Sequence, residues 1–369
     1  SLGWVASEEP FFPQNRIVTY MKIRGSYGVV GNDQIGGSRF LYNPTAYTYM
    51  GNFYYFGEFG SNLQGYQGSI EGALGNPLVT WERAKKMNVA AEIYFLDNKI
   101  KITAEYFDEN RDNILARRNT VPTIVAAQLP AYNIGKMSNS GYEGDISFNN
   151  KMGQLNYWIK ANFSYAHNVI EFQDEVPQKY PYQKRTGQKF GQPFGLLTDG
   201  LFNSWEEVND ANRPVYQYQN NKIQPGDIKY VDVNGDGLIN ADDMVPIGYP
   251  SFPEKMYGLS FGGNFKGFDL SVLFQGAANV SVTYSRSYVQ PFLESRNAPN
   301  YMVESWSYER LINGQRIRFP RYNTGYSTAA ANWVTSNWWT RDASYVRLKN
   351  IEIGYSFPQQ LIKKVGLDY

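Results

Sequence analysis

The chain has 369 residues, and its 35 Lys and Arg against 34 Asp and Glu leave a net charge of +1, too small to gather nucleic acid. The absence of Cys and the single His exclude disulfides, thiolate metal sites, cysteine nucleophiles and histidine-rich metal centres. Aromatic residues reach 16% and charged residues only 19%, a balance typical of β-structure with much exposed aromatic surface.

Alternation of apolar and polar residues predicts β-strands in series along the chain. The chain starts within what reads as a strand, and the next strand covers 21–29. Three hairpins with short turns follow. They pair 87–95 with 100–106 across Asp97 and Asn98, 142–148 with 157–165 across 149–153, and 257–261 with 268–274 around Lys266 and Gly267.

The last predicted strand, about 345–357, contains a conflict of phase. Ile351, Ile353 and Tyr355 alternate correctly, but continuing that phase backwards would place Arg347 and Lys349 on the same apolar face. A β-bulge near Asn350 would reset the phase, because one extra residue turns every earlier side chain to the other face.

Short and long connections alternate along the chain. The long ones run over 31–86, 108–140, 167–255 and 277–343. Strict alternation places every short turn at one end of the strands and every long loop at the other, which is typical of an outer-membrane barrel with short periplasmic turns and long extracellular loops. No run of about 18 apolar residues occurs, which excludes a spanning helix but not such a barrel.

Aromatic residues near strand ends fit the two girdles of such a barrel. Examples are Trp4, Tyr94, Phe107, Tyr157 and Phe357. A plain antiparallel sheet with aromatic cross-strand pairs is the alternative interpretation.

The alternation also predicts which side chains face lipid and which face the lumen, since a midplane Arg or Lys on the lipid side costs roughly 2–4 kcal/mol. The predicted lipid-facing residues are Met21, Ile23, Val89, Ile93, Ile100, Ile102, Ile159, Leu270 and Val272. The predicted lumen-facing residues are Lys22, Arg24, Lys101, Glu105, Glu143 and Lys160.

The sequence DVNGDGLINADD at 232–243 has the spacing of an EF-hand-like calcium loop. The expected Ca²⁺ ligands are the side chains of Asp232, Asn234, Asp236 and Asp243, the carbonyl of Leu238, and Asn240 directly or through water. Asp243 stands where a bidentate Glu is usual, and the flanking segments read as extended rather than helical, so the expected role is structural. A metal-free turn of Asx and Gly residues is the alternative.

Other polar and aromatic candidates have a structural explanation beside a functional one. His167 is expected to be a solvated loop residue rather than a general base. Glu143 and Asp145 share a strand face, which a glycosidase could use but which in a barrel faces the lumen. The tryptophans of the long connections, together with the sequence RIR at 316–318, can contact a ligand or pack loop against loop. Those tryptophans are Trp205, Trp306, Trp333, Trp338 and Trp339.

A series of stretches resembles the SusC/RagA family of TonB-dependent outer-membrane transporters in the order that this family uses. They are SLGW at 1–4 with SEEPFF at 7–12, KIRGSYG at 22–28, LVTWE at 78–82, NIGKM at 133–137, DIKYVDVNGDG at 227–237, YGL at 257–259 leading to KGFDL at 266–270, and ASYVRLKN at 343–350.

The resemblance implies that residues 1–369 form a C-terminal part of an all-β, antiparallel transmembrane barrel, roughly ten strands of 22. The plug, the TonB box and the N-terminal half of the barrel would lie outside this sequence. It also implies TonB-dependent import, at the outer membrane, of oligosaccharides or oligopeptides. The partners would be a SusD-like surface lipoprotein, TonB and outer-membrane lipid, and no enzyme activity is expected.

Two alternatives remain open from the sequence. A secreted all-β module that binds or hydrolyses carbohydrate, with the calcium loop as a structural element, would be a stable soluble protein. A passive porin would differ only in lacking the plug and the TonB box.

Overall fold

The computed structural model describes residues 1–13, 15–34, 40–58, 62–122, 124, 129–218, 222–293, 296–322 and 330–358. The sequence also predicts a short amphipathic turn at 361–369, and this segment lies outside these ranges. The helices are single turns, namely α1 (Trp205–Val208), α2 (Arg286–Val289) and α3 (Tyr308–Ile312). No helix in the described part of the chain has the length and apolar character needed to cross a membrane.

Most of the regular structure is β-strand. In chain order the strands are β1 (Leu2–Val5), β2 (Val18–Asn32), β3 (Tyr47–Phe56), β4 (Gln64–Glu71), β5 (Glu82–Phe95), β6 (Ile100–Ala116), β7 (Tyr132–Met152), β8 (Leu155–Phe172), β9 (Phe194–Gly195), β10 (Thr198–Leu201), β11 (Val215–Tyr216), β12 (Ile228–Tyr230), β13 (Leu238–Ile239), β14 (Val245–Pro246), β15 (Lys255–Phe265), β16 (Phe268–Ala278), β17 (Ser281–Thr283), β18 (Thr340–Asp342) and β19 (Tyr345–Tyr355).

Nine strands form one open antiparallel sheet in the order β1-β2-β5-β6-β7-β8-β15-β16-β19. Each strand pairs with the next one that belongs to the sheet, so the chain meanders and never crosses over. The three predicted hairpins are confirmed as β5–β6, β7–β8 and β15–β16. All-β antiparallel architecture is therefore confirmed, and nine strands agree with the rough estimate of ten.

The tight turns use residues that tolerate a positive φ. Asp97 and Asn98 have φ values of 55° and 66°, and Lys266 and Gly267 have 48° and 89°. Backbone of this left-handed kind suits two-residue hairpin turns, because its twist matches that of the flanking strands. Asp, Asn and Gly adopt this conformation at the least steric cost, which explains why these residues predict the positions of the turns.

The strands extend further from the short turns than the sequence predicts. β6 has 17 residues and β7 has 21, so the connection expected at 108–140 shrinks to 117–131. The extra ladder pairs polar residues, such as Glu109 with Asn139 and Asn110 with Ser138. Both faces of the sheet are polar at this height, so the apolar alternation that marks a strand is lost although the backbone pairing continues.

The predicted bulge in the last strand is confirmed. Leu273 of β16 lies opposite Asn350, whereas Phe274 lies opposite Leu348, so Lys349 is the extra residue. Before the bulge, Arg347 lies opposite Gln275 and donates to its side chain over 3.2 Å. The phase conflict is thereby resolved, because Arg347 leaves the apolar face.

One face of the sheet carries all the predicted lipid-facing residues. Cross-strand partners share a face, and Met21, Ile93, Ile102 and Ile146 are successive partners across four strands. Within the described ranges no other sheet packs on this face, and Val89 remains 48% exposed. The predicted set was Met21, Ile23, Val89, Ile93, Ile100, Ile102, Ile159, Leu270 and Val272.

The apolar belt has the height of a membrane. On β5 it runs over 87–95, nine residues, within the roughly 9–11 that a tilted strand needs to cross the hydrocarbon core. Beyond it, on the same face, Arg83 pairs with Asp112 over 2.9 Å and Lys85 reaches Asp112 over 3.4 Å. Charge thus replaces apolar side chains where the belt ends.

The opposite face is charged and holds the predicted lumen set. Arg24 pairs with Glu105 over 2.6 Å and with Glu92 over 3.3 Å. Tyr94 and Phe107 also lie on this face, so their assignment to a lipid-facing girdle was wrong. The predicted set was Lys22, Arg24, Lys101, Glu105, Glu143 and Lys160.

The long connections build a second apolar core beyond the edge of the sheet. We call this body the loop assembly; it comprises residues 173–254 and 279–344, as far as these are described. Its buried residues are Leu196, Phe202, Val208, Tyr216, Ile223, Ile228, Tyr230, Ile239, Val289, Ala331 and Trp339, with Trp333 and Trp338 packed against them. Loop-against-loop packing thus explains Trp333, Trp338 and Trp339.

Candidate functional site

A buried carboxylate joins the two halves of the loop assembly. Asp227 is 1% exposed and accepts hydrogen bonds from Arg321 Nε over 2.7 Å and from Asn332 Nδ2 over 2.8 Å. Its other oxygen accepts from the backbone N–H of Gln224 over 2.8 Å. The carboxylate is therefore fully paired, and it fixes residues 94 and 105 positions away in sequence.

The glycine before this carboxylate allows the two connections to approach closely. Gly226 has φ +90°, and a Cβ placed there would come within 2.4 Å of the Trp306 ring. Its carbonyl accepts from the Arg321 backbone N–H over 2.8 Å. Only glycine satisfies both the backbone conformation and the contact.

Tyrosine hydroxyls satisfy the polar backbone inside the core. Tyr216 Oη accepts from Tyr230 N over 2.9 Å and donates to the carbonyl of Ile228 over 3.2 Å. Tyr230 donates its own hydroxyl to Ala331 O over 2.7 Å. Burial raises the pKa of both phenols well above the ordinary value, so they stay protonated donors.

A pocket of about 1030 Å³ opens on the loop assembly, and we call it the arginine pocket. All its lining residues come from the connection 279–344. The lining includes Arg316, Arg318 and Arg341 but, among the described residues, no Asp or Glu. The pocket therefore combines concentrated positive charge with an apolar floor.

Flat rings accompany these cations. Arg341 lies over the Trp338 ring at 5.7 Å, and Arg318 pairs with Glu304 at its edge over 3.4 Å. Tyr288 and Tyr301 are 74% and 47% exposed. Rings and guanidinium groups together can stack on a ligand and bind its anionic groups.

The wall of the arginine pocket is held rigidly. Phe319 lies between Tyr301 and Trp339, with ring centroids at 5.5 and 6.4 Å. Trp339 is 3% exposed and donates its indole N–H to Asn332 O over 2.7 Å. The Tyr301 hydroxyl donates to Tyr288 O over 2.6 Å. The pocket is thus formed before any ligand arrives.

An aromatic hairpin stands apart from the loop assembly, in the connection between β2 and β5. Among the described strands, β3 and β4 pair only with each other, and we call them the aromatic hairpin. Its large side chains remain largely exposed. They include Tyr47, Tyr49, Phe53, Tyr54, Tyr55, Phe56 and Tyr66. A two-stranded hairpin is marginally stable alone, so such a surface is typical of a binding face.

A second buried carboxylate anchors the loop assembly to the sheet. Glu254, just before β15, is 6% exposed and contacts Lys189 Nζ over 2.8 Å, His167 Nδ1 over 3.0 Å and Asn279 Nδ2 over 2.9 Å. Burial raises the pKa of this carboxyl, but the bonds from these three groups outweigh it and hold the pKa below the usual value.

The expectation for His167 was therefore wrong. The residue lies inside β8 rather than in a loop after it, and it pairs with a carboxylate 87 positions away. No local sequence pattern carries that information. Glu143 and Asp145 lie as expected on the charged face, where Glu143 accepts from the Ser164 hydroxyl over 3.0 Å.

The predicted calcium loop is closed by hydrogen bonds to its own backbone. Asp232 accepts from Gly235 and Gly237 N–H, each over 2.7 Å. Asp243 is buried and accepts from the N–H groups of Val233 over 2.9 Å and Asn240 over 3.0 Å. The segments on either side, β12 and β14, are extended as predicted.

The remaining predicted ligands follow the same pattern. Asn234 accepts from the Asp236 N–H and Asp236 from the Leu238 N–H, each over 2.9 Å, while Asn240 accepts from the Asp242 N–H over 2.6 Å. Oxygen ligands suit Ca²⁺. In the described part of the chain, however, no three acidic or His side chains group so as to hold a metal ion. Calcium at Asp232–Asp243 stays a prediction.

Comparison with known proteins relates the whole chain to one class. No protein-family model matches it. The chain is 25% identical to TonB-dependent receptor P3 of Formosa agariphila over 100% of its own length and 35% of that protein's. It is 25% identical to TonB-dependent receptor SusC of Bacteroides thetaiotaomicron over 99% of its length and 35% of the relative's.

Solved structures give the same fold. The RagAB peptide importer in the open-open state matches with a TM-score of 0.69 and 16% identity, over 98% of this chain and 36% of that one. The RagAB peptide transporter matches with a TM-score of 0.68.

The chain is thus similar over its whole length to TonB-dependent receptors in sequence and to the RagAB transporter in fold. The resemblance to the SusC/RagA family is confirmed, and with it the expected location in the outer membrane. The chain spans about a third of the length of the curated relatives it matches.

Proposed function

We propose that this chain is a C-terminal part of a receptor barrel that imports oligosaccharides or oligopeptides across the outer membrane. One observation carries the proposal. The sheet has an apolar belt of membrane height, and the connections at one end of its strands form a folded loop assembly with a preformed pocket. The plug, the TonB box and the N-terminal half of the barrel would lie outside this sequence in the complete receptor.

The chemistry on the charged face supports passage rather than catalysis. Arg24 neutralises Glu105 over 2.6 Å and Glu92 over 3.3 Å on this face. A wet, charge-balanced wall lets a polar solute pass without holding it. Energy would come from the inner membrane through TonB. TonB would contact the part of the receptor that lies outside this sequence.

The aromatic hairpin supports a partner over the loops. Residues 47–71 contain no Lys or Arg, and their only charges are Glu58 and Glu71. Anionic headgroups would find no cation there, whereas exposed Tyr and Phe are the residues that anchor protein interfaces. A SusD-like surface lipoprotein is the partner we propose for this surface.

We also propose Ca²⁺ as a structural ion for the loop at Asp232–Asp243. The carboxylates and carbonyls there supply the hard oxygen ligands that calcium requires. The bonds of the loop to its own backbone hold its shape, and the ion would add to that stability.

Uptake by whole cells tests the import proposal. Cells carrying the full-length receptor should accumulate fluorescent oligosaccharides or peptides, and inactivation of TonB should abolish accumulation. Replacing Tyr49, Tyr54 and Tyr66 with Ser should release the lipoprotein from the purified complex, while replacing Tyr157 should not. Uptake that persists without TonB would establish a passive pore and contradict the proposal.

A further inference from the structure

We infer that the arginine pocket selects an acidic oligosaccharide, one whose sugar units carry carboxylate or sulfate groups. This inference rests on the import function proposed above and names its substrate class. It starts from an imbalance of charge. The whole chain has a net charge of only +1, yet this one pocket gathers three arginines.

The local charge is only partly compensated. Glu304 pairs with Arg318 over 3.4 Å. Arg316 and Arg341 form no ion pair with a carboxylate in the described part of the chain, and both are exposed. An anionic ligand would supply the missing countercharge, and guanidinium groups bind carboxylate and sulfate through paired hydrogen bonds.

The pairing of cations with rings favours a sugar over a peptide. Arg341 lies over Trp338, and exposed Tyr288 and Tyr301 border the same space. A uronic acid or sulfated sugar unit presents an apolar C–H face and an anion on one rigid ring, so it can stack and form the ion pair at once. An acidic peptide carries its carboxylates on flexible stems, and ordering each of them costs entropy.

The pocket also has the means to discriminate against neutral sugars. The rings would stack on any sugar, so stacking alone gives no preference for charge. A neutral sugar would displace water from the guanidinium groups without replacing its hydrogen bonds, which is unfavourable. Selectivity therefore resides in Arg316 and Arg341.

Binding to the purified full-length receptor tests the inference. The probes are a galacturonic acid tetramer, the same tetramer fully methyl-esterified, a sulfated galactose tetramer and a glutamate tetrapeptide. We expect an acidic sugar to bind about tenfold or more tightly than the ester, with an affinity that falls as salt rises. The better of the two acidic sugars identifies carboxylate or sulfate as the favoured group.

Substitutions locate the effect. Arg341→Gln and Arg316→Gln should each weaken binding of the acidic sugar by about tenfold without weakening binding of the ester, and retained binding of the ester also shows that the pocket is folded. Arg341→Lys should retain the salt dependence but lose affinity, because a point charge cannot bind two oxygens in parallel. Arg117→Gln, an exposed arginine in another connection, is the matched control and should change nothing.

Three results would overturn the inference: equal binding of acid and ester, tighter binding of the glutamate peptide, or arginine variants that bind the acid normally. TonB-dependent uptake of neutral sugars or peptides alone would contradict the inference and leave the import function standing. Loss of all TonB-dependent uptake would contradict the import function instead.

Discussion

The sheet and the loop assembly fold by different rules. In the sheet, each residue contacts partners fixed by strand register, and the apolar residues point outward; Val89 is 48% exposed. In the loop assembly the apolar residues point inward, and Leu196, Ile228 and Ile239 are fully buried. The sheet is therefore folded for a lipid environment, with apolar side chains on its outer face, whereas the loop assembly is folded for water, with apolar side chains buried inside.

The largest expected effect breaks the loop assembly while sparing the sheet. Asp227→Ala leaves Arg321 without its carboxylate, and breaking a buried ion pair in this way costs about 3–5 kcal/mol. We expect the connections 173–254 and 279–344 to become protease-sensitive while the barrel keeps its heat-modifiable gel mobility. Asp199→Ala is the control, because its ion pair with Lys229 over 3.3 Å is exposed. Loss of the barrel together with the loops would show that the two regions are one cooperative unit.

The converse change breaks the sheet. Ile93→Arg places a cation in the apolar belt and should destabilise the barrel by roughly 2–4 kcal/mol. The matched control is Thr103→Arg, whose position lies on the charged face opposite Glu92 and Asp145. The folded fraction in outer membranes measures both variants. Equal tolerance of the two substitutions would contradict the assignment of the faces.

Acid should loosen the junction between the two regions. The pKa of Glu254 is lower in the folded protein than in the unfolded chain, so the carboxylate contributes stability above the unfolded value of about 4.3. That contribution is lost as the pH falls through the folded pKa. Protease cleavage of 173–254 should therefore rise below about pH 4. In Glu254→Gln this rise in cleavage at low pH should be absent. If the variant shows the same dependence of cleavage on pH as the wild type, Glu254 is not the origin of the rise.

The smallest expected effect lies within the loop assembly. Asp232→Ala removes the acceptor of two backbone N–H groups, worth about 1 kcal/mol each. If Ca²⁺ binds at Asp232–Asp243, the wild-type loop should also gain protease resistance in calcium over chelator, and the variant should not. Ala at exposed Asp236 should weaken the calcium effect as well. If calcium does not change the protease resistance of the wild-type loop, the calcium proposal is wrong and hydrogen bonds alone stabilise the loop.

The same contrast explains what sequence reasoning could reach. The hairpins, the faces and the bulge at Lys349 follow from alternation, which is local. The core of the loop assembly depends on pairs such as Asp227 with Arg321, 94 residues apart, and no periodic pattern marks them. His167 was misplaced for this reason, since its partner Glu254 lies 87 positions away and its strand, β8, continues to Phe172. The three arginines of the pocket are likewise brought together only by the fold.

Site-directed spin labelling along β5 tests the central claim most directly. Cysteines introduced singly over 87–95, in a chain that has none of its own, can each be labelled and probed for contact with oxygen in lipid or with a polar nickel reagent. We predict strict alternation, with 87, 89, 91, 93 and 95 exposed to oxygen and 88, 90, 92 and 94 shielded from it. Uniform accessibility, or oxygen contact at 88, 90, 92 and 94, would contradict a sheet that faces lipid on one side and the lumen on the other.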